Sequence, residues 1–382
     1  MNQTVLAPHH SRSSVRSQPS VLVDTFFQDS ALPHGGYYRT QQIAELVEQA
    51  NCQITPFERT ILSTRSQRLL AGLKAVLSPA TFGFILRHQL NIRKSASAIA
   101  FCGFQRHLYT TVLKQQGDSS LLLWEATKNY VAPYVAAEIG WNVIALPHNI
   151  ESLADGQDIY PESFETEVAS LSKASAVFCI AREEAWLLRL KGVNAEYLPY
   201  YPPEKRYREL LEIRQQRQAS TKDYFLILGS ATHPPTRDGM IEQIHWLKQS
   251  QDSISVQIAG RKTETLEPYC DRANFTLHGS VSEEQLTELL IHAKAILIHQ
   301  RSGGGAITRI PDMLIAGVPV IANGNACRSA FEYEGVYCYD DRQELIEQMQ
   351  HEFEIPPVPP RPIAAERRFK DCVLKLSQAQ SS

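Results

Sequence analysis

The chain has 382 residues, too many for one ordinary hydrophobic core and suited to two domains that each bury a substantial interior. Hydrophobic residues at 43% and charged residues at 21% are the values of an ordinary globular protein, and a net charge of -3 gives no overall pull toward nucleic acid. Seven cysteines (52, 102, 179, 270, 327, 338 and 372) show no paired short spacing, so neither a zinc site nor a disulfide framework is expected and a reducing cytosol fits best.

In chain order, the first residues are rich in Ser, Arg, Gln and His and read as a disordered tail through Pro19, without the apolar core of a secretory signal. Val21 to Phe27 is an apolar run of strand length, followed by a turn at Gly35-Gly36 and a helical pattern through Ile43, Leu46 and Val47. From Arg65 to Lys94 there are six cations (Arg65, Arg68, Lys74, Arg87, Arg93 and Lys94) and no acidic residue, interleaved with Leu69, Leu70, Leu73, Leu77, Phe82 and Leu86. Two readings stand: a basic amphipathic surface for an anionic lipid interface, or two ordinary helices with solvated cations and apolar faces packed inward. No apolar run reaches the length needed to span a bilayer.

Further strand-like runs end at Phe101, Trp124, Leu146 and Ile180, with helical stretches between them, the alternation of a parallel α/β sheet. The pattern breaks around Tyr197 to Pro203, a charged helix follows from Glu204 to about Gln218, and a new strand begins at Tyr224. Phe225–Gly229, Ser255–Gly260, Ala295–Ile298 and Val318–Ala322 then repeat the alternation. After the proline run Pro356–Pro360, a last helix from about Ala364 to Leu376 is placed to cross back to the first domain. The expected organisation is a tail 1–19, a first Rossmann-like domain 20–203, a second 204–360, and a returning helix 361–382.

The richest stretch for chemistry is Arg301 to Ala322, where a strand ends, glycines accumulate and a helix begins. Pro311 belongs in the first helical turn, so the helix starts near Thr308 or Arg309, with Thr308 as N-cap and Gly303, Gly304 and Gly305 as the loop before it. Such a loop collects backbone N–H donors and the positive end of a helix dipole, a site for phosphate. Arg309 adds a full charge, and Asp312 is placed to accept from a ribose or sugar hydroxyl. A Gly-rich turn with a surface Asp and Arg fits the same letters; the flanking strands favour phosphate.

The stretch resembles the donor-binding signature of retaining glycosyltransferases of family four with the two-domain GT-B fold, through Arg309-Ile310-Pro311-Asp312 and Ala316-Gly317-Val318-Pro319-Val320. Ile227-Leu228-Gly229-Ser230, Ile258-Ala259-Gly260-Arg261 and His278-Gly279-Ser280-Val281 fit the same family, as does Pro147-His148-Asn149-Ile150-Glu151-Ser152 in the first half. The resemblance implies two Rossmann-like domains facing across a cleft. Gly303, Gly304 and Gly305 would approach a donor diphosphate, Arg309 would neutralise it, and Asp312 would take the place of the family's ribose-holding glutamate. Arg261 and Ser230 fall on the donor side. His148, at the carboxyl edge of the first sheet, would face the donor sugar, with a satisfied structural histidine as the alternative. Gly35, Gly36 and Arg39 repeat the loop-to-helix pattern on the acceptor side, where a tight turn beside a surface arginine explains them as well. The sequence departs from the family at Gly304, where many members carry a first glutamate, and at Asp312, one methylene short.

The implied reaction moves a sugar from a nucleotide-diphosphate donor to an acceptor glycan, lipid or small molecule with retention. The donor is a co-substrate; no cofactor is implied, and without an Asp-x-Asp motif no metal. A sugar-nucleotide epimerase or hydrolase on the same fold, needing a carboxylate acid/base pair in the cleft, stands beside it, as does a non-catalytic nucleotide-sugar-binding subunit.

Overall fold

A computed structural model of the protein describes residues 18–27, 34–59, 65–90, 96–116, 119–153, 163–250 and 254–379. Residues 1–17 of the expected tail 1–19 lie outside the described residues, as do Arg93 and Lys94.

Six strands form the first sheet: β1 (Ser20–Asp24), β2 (Gln53–Pro56), β3 (Ser119–Trp124), β4 (Asn142–Ala145), β5 (Ala176–Cys179) and β6 (Ala195–Tyr197). Six more form the second: β7 (Tyr224–Leu228), β8 (Val256–Ala259), β9 (Phe275–Gly279), β10 (Ala293–Ile298), β11 (Val320–Asn323) and β12 (Val336–Tyr339). Every described pairing is parallel, in the orders β2-β1-β3-β4-β5-β6 and β12-β11-β10-β7-β8-β9.

The strands are near-continuous apolar runs because helices cover both faces of each sheet, so neighbouring residues enter different cores. Leu22, Leu122 and Val143 pack on one side of the first sheet, and Val21, Leu121 and Ile144 on the other. Leu226 and Ile296 divide from Ile227 and Leu297 in the same way in the second. Both orders reverse direction once, between β1 and β3 and between β7 and β10. Those switch points open a crevice at the carboxyl ends of the strands, where ligands of open α/β sheets bind. The last helix, Ile363–Gln378, lies on the first sheet, with Phe369 edge-on to Phe178 at 5.1 Å between ring centroids.

Four expectations are corrected. Phe101 lies in the helix Ala96–Gln115, whose buried residues Ala98, Cys102, Gln105, Tyr109, Val112 and Leu113 recur at helical spacing; the apolar letters around Phe101 hide that period. The first strand stops at Asp24, which frees Phe26 and Phe27 to leave the sheet. Gly35 and Gly36 are no separate turn but the first residues of the helix Gly35–Gln49, where the His34 ring accepts from the Tyr37 N–H at 3.4 Å. In the segment 65–94, the helices Arg65–Val76 and Pro79–Arg87 do not turn all their apolar residues inward: Leu70, Leu73 and Leu77 form one exposed stripe, and Phe82 and Leu86 another, with Leu77 80% and Leu86 76% exposed. Among the described residues no single helix is long and apolar enough to cross a membrane.

Candidate active site

The two switch points face each other across a cavity of about 480 Å³. Phe26 and Phe27 follow β1, Glu125 and Lys128 follow β3, and His148 and Glu151 follow β4. His233 and Pro235 close it from the end of β7, and Gln300, Gly303 and Gly304 from the end of β10. The volume suits a small-molecule ligand, held between walls contributed by both sheets.

His148 is gripped from below. Its Nε2 lies 2.9 Å from Glu125 Oε1, while Thr40 Oγ1 donates to Glu125 Oε2 at 2.7 Å. The Glu125 side chain is 2% exposed and that of His148 18%, so the imidazole covers the carboxylate and reaches the cavity itself. Burial by itself would raise the Glu125 pKa; the His148 charge and hydrogen bonds from His148, Thr25 and Thr40 outweigh it and hold the carboxyl below its usual range. Nδ1 is left without a protein partner among the described residues. Glu151 moves the opposite way, raised by burial, with Lys128 Nζ at 3.5 Å opposing. Asp24 ends β1 fully buried, receiving the Tyr109 hydroxyl and the Arg59 guanidinium, and it too is raised by burial.

The glycine loop packs against the first domain. A Cβ on Gly304 would sit 2.8 Å from the Asn149 Cβ and 2.9 Å from Glu184 Oε1, and Gly305, at φ 70°, lies against the His148 carbonyl. The Gly305 N–H, expected to be open for phosphate, instead donates to Glu184 Oε1 at 2.5 Å, and the Gly305 carbonyl accepts from Arg328 Nε at 3.0 Å. Glu184 also accepts the Ile150 N–H at 3.3 Å, so one buried carboxylate ties the His148 loop to the glycine loop. Burial pushes its pKa up to about 7, the Gly305 and Ile150 N–H groups only partly opposing.

Arg309 opens the helix Arg309–Ile315 and has no hydrogen-bond or ion-pair partner among the described residues. Its guanidinium lies 3.2 Å from where a Cβ on Gly229 would stand, over the carboxyl end of β7, and burial lowers its pKa to about 10 with Asp312 opposing. Thr308 is not the expected cap: its backbone is already helical (φ -58°, ψ -24°) and its side chain makes no capping bond. Its hydroxyl abuts Gly35, which brings the start of the helix Gly35–Gln49 against the end of the glycine loop.

Asp312 does not line the cavity. It is 6% exposed, accepts the Tyr200 hydroxyl at 3.1 Å, and lies 3.6 Å from Arg206 Nε; burial raises it to about 6. Arg39 is corrected outright. It is 2% exposed and donates to Gln42 at 2.6 Å and to the Pro199 carbonyl at 3.4 Å, so it pins the interdomain segment instead of facing an acceptor. Ser230 shares a hydrogen bond with Thr232 at 2.7 Å just beyond β7, and Arg261 stands exposed beyond β8.

Sequence reading missed Glu125, Lys128, His34, His233 and Glu184. Glu125 and Lys128 carried the same signal as His148, a polar residue just past an apolar strand. His34 and His233 are both lowered, first by burial, then by His148 and Arg261 in one case and by Arg309 and Lys128 in the other. Those mutual influences place cationic groups of both domains around one crevice.

No protein-family model matches the sequence, nor does any curated protein. The structure is similar to the Anabaena protein HepE solved with UDP (TM-score 0.57, 14% identity, covering 95% of this chain and 98% of that one). It is also similar to the sucrose-phosphate synthase of Thermosynechococcus elongatus (TM-score 0.58, 13% identity, 95% and 94%). A third similar structure is the UDP-GlcNAc 2-epimerase of Methanocaldococcus jannaschii (TM-score 0.50, 13% identity, 92% and 98%). With two parallel six-stranded sheets opposed at their switch points, the chain has the two-domain, Rossmann-like α/β architecture of the GT-B fold.

Proposed function

We propose that the protein is a glycosyltransferase that takes a nucleoside-diphosphate sugar and passes the sugar to an acceptor hydroxyl with retention. One observation carries the reading: Lys128 and His148 of the first domain and His233 of the second line one cavity at two facing switch points, with Arg309 close enough to act electrostatically on His233 and Arg261 close enough to act on His34. Negative charge builds on the departing diphosphate during transfer, and fixed cations and N–H donors at that place lower the barrier. Arg309 is the principal cation, because among the described residues no side chain hydrogen-bonds or ion-pairs with it and Asp312 acts on it only through its charge. Gly303 and Gly304 let a diphosphate approach the backbone, and Ser230 and Arg261 flank it. His148, held through Nε2, presents its ring to the donor sugar, and Glu125 fixes that orientation. The N–H of Gly305 joins the diphosphate site only when Glu184 releases it. UDP, bound by HepE, is the first nucleotide to try.

The outward apolar stripes on the helices Arg65–Val76 and Pro79–Arg87 belong to a segment with six cations and no acid. That pairing fits an anionic lipid interface and points to an acceptor presented at the cytosolic face of a membrane.

A second reading has its own observation. Glu125 and Glu151 both border the cavity, and their surroundings push their pKa values apart, as an acid/base pair requires. That pair suits a sugar-nucleotide epimerase or hydrolase. The test has two steps. Thermal melting with a panel of nucleoside diphosphates is expected to show stabilisation by at least one, because a ligand of the native state raises its melting temperature; no stabilisation by any would sink both enzyme readings. Product analysis of the matching nucleotide sugar then separates them. Release of diphosphate only when acceptor is present supports transfer, an epimer or free sugar without acceptor supports the second reading, and binding without turnover supports a non-catalytic subunit.

A further inference from the structure

Of the seven cysteines, all described, only Cys327 and Cys338 are in sulfur contact. Cys327 ends the short helix Gly324–Cys327 beyond β11, and Cys338 lies on β12, whose register pairs it with Ala322 of β11. Their Sγ atoms are 3.0 Å apart. A disulfide needs about 2.05 Å, so closing the bridge takes a movement of only about 1 Å. Cys327 is 3% exposed while Cys338 is open to solvent, so an attacking thiol and a resolving thiol are already distinguished by access. The hydrogen bond between the two sulfurs pushes Cys338 down to about 7 and Cys327 up, which favours the thiolate at the exposed position.

The residues just beyond Cys327 give the pair a consequence. Arg328 Nε donates to the Gly305 carbonyl at 3.0 Å, the Ser329 N–H donates to Glu183 Oε1 at 3.0 Å, and the Ser329 hydroxyl also donates to Glu183. Ser329 Oγ in turn accepts the Arg182 N–H at 2.9 Å, and Arg182 pairs with Glu332 at 2.9 Å. Ser329 and Glu332 thus make the segment a strap that binds the second domain to the first, Arg328 fastens it to the glycine loop of its own domain, and the two cysteines stand at either end of the loop containing it.

We propose that Cys327 and Cys338 form a reversible thiol–disulfide site that takes a low-molecular-weight disulfide of the glutathione class as its oxidant and closes the interdomain strap into a ring. The Cys338 thiolate attacks one sulfur of the small disulfide and expels one small thiolate, leaving a mixed disulfide. Cys327 then gives up its proton and attacks Cys338 Sγ, expelling the second small thiolate. Two protein thiols are oxidised, one small disulfide is reduced to two thiols, and excess small thiol reverses the sequence. This proposal stands independently of the reaction assigned to the cavity.

The test is to incubate the folded full-length protein with oxidised glutathione and count thiols after denaturation. They are expected to fall from seven to five, with a mass loss of about 2 Da and a peptide joining positions 327 and 338. Cys327→Ser is expected to stop at one glutathione on Cys338, and Cys338→Ser to leave Cys327 unmodified, because the buried sulfur is not reached. Hydrogen exchange across 328–337 is expected to slow in the bridged form. A wild-type protein that stops at the glutathione adduct, links another pair, or loses no thiol overturns the site, and unchanged exchange in the bridged form overturns the ring closure of the strap.

Discussion

Glu184 gives the sharpest quantitative prediction, because a single carboxylate joins the two loops that line the cavity. It is 9% exposed, accepts the N–H groups of Gly305 and Ile150 through Oε1, and leaves Oε2 buried without a partner among the described residues. Burial carries its pKa from an ordinary 4.5 to about 7, which at about 1.36 kcal/mol per pH unit amounts to at most about 3 kcal/mol. The folded state therefore binds the proton more tightly than the unfolded chain. Its contribution is fully present below pH about 4.5 and is lost as the pH rises to about 7. Glu184→Gln keeps the acceptor for both N–H groups and copies the protonated form, so it removes the titration without removing the contact. Denaturant unfolding of wild type and variant at pH 4.5 and pH 8 reads the difference. Equal stabilities are expected at the lower pH, and a more stable variant, by up to about 3 kcal/mol, at the higher one. Glu184→Ala, which strands two buried donors, is expected to be less stable than wild type at both. A gap between wild type and Glu184→Gln that does not change with pH would refute the reasoning, because it would mean that the carboxylate titrates alike in the folded and unfolded chains.

Arg309→Ala is expected to weaken nucleoside-diphosphate binding by about 10- to 100-fold, the loss of one charge-assisted hydrogen bond worth about 1.5–3 kcal/mol; an unchanged thermal shift would count against the loop assignment. Glu125→Gln is expected to cost at least about 100-fold in turnover while nucleotide binding stays, since it acts by orienting His148, and parallel losses of both would contradict that role. Leu73→Glu with Leu77→Glu alters side chains 57% and 80% exposed, so folding is expected to survive while cosedimentation with phosphatidylglycerol vesicles disappears. Binding that persists, or wild type that ignores those vesicles, removes the lipid surface. Arg39→Ala is expected to lower thermal stability by about 1–3 kcal/mol because the buried Gln42 Oε1 loses its donor, while the Pro199 carbonyl keeps the Gln42 amide at 3.1 Å, and to leave the nucleotide-induced shift intact. A lost shift with unchanged stability would return Arg39 to the ligand.

What the sequence made legible is what neighbouring residues decide. The helix Glu204–Gln218 and the strand beginning at Tyr224 have the expected bounds, because the proline cluster before the one and the switch from charged to apolar letters at the other are local signals. The helix Arg309–Ile315 starts where Pro311 requires. Around Phe101 the local signal misled, since a helix buried on most sides spells the same apolar run as a strand. The positions past strand ends were readable as a class, and His148, Gly303 and Gly304 reach the cavity for that reason.

Which of those polar groups stays free for a ligand is decided elsewhere. Asp312 stands in the first turn of its helix, where spacing suggests contact with a ligand, but Tyr200 and Arg206 reach it from a segment more than 100 residues earlier. Gly305 has the expected backbone, yet its N–H is met by a glutamate from the opposite domain, 121 residues away in sequence. Arg39 looks like a surface cation until the Pro199 carbonyl, 160 residues on, takes its guanidinium. In each case a partner distant in sequence satisfies a group that local pattern had offered to substrate, and a buried polar group that is already paired gains little by exchanging that partner for a ligand. Arg309 differs from all three, because among the described residues no other side chain hydrogen-bonds or ion-pairs with it. That difference, invisible in the letters, makes it the residue on which diphosphate binding is expected to depend most.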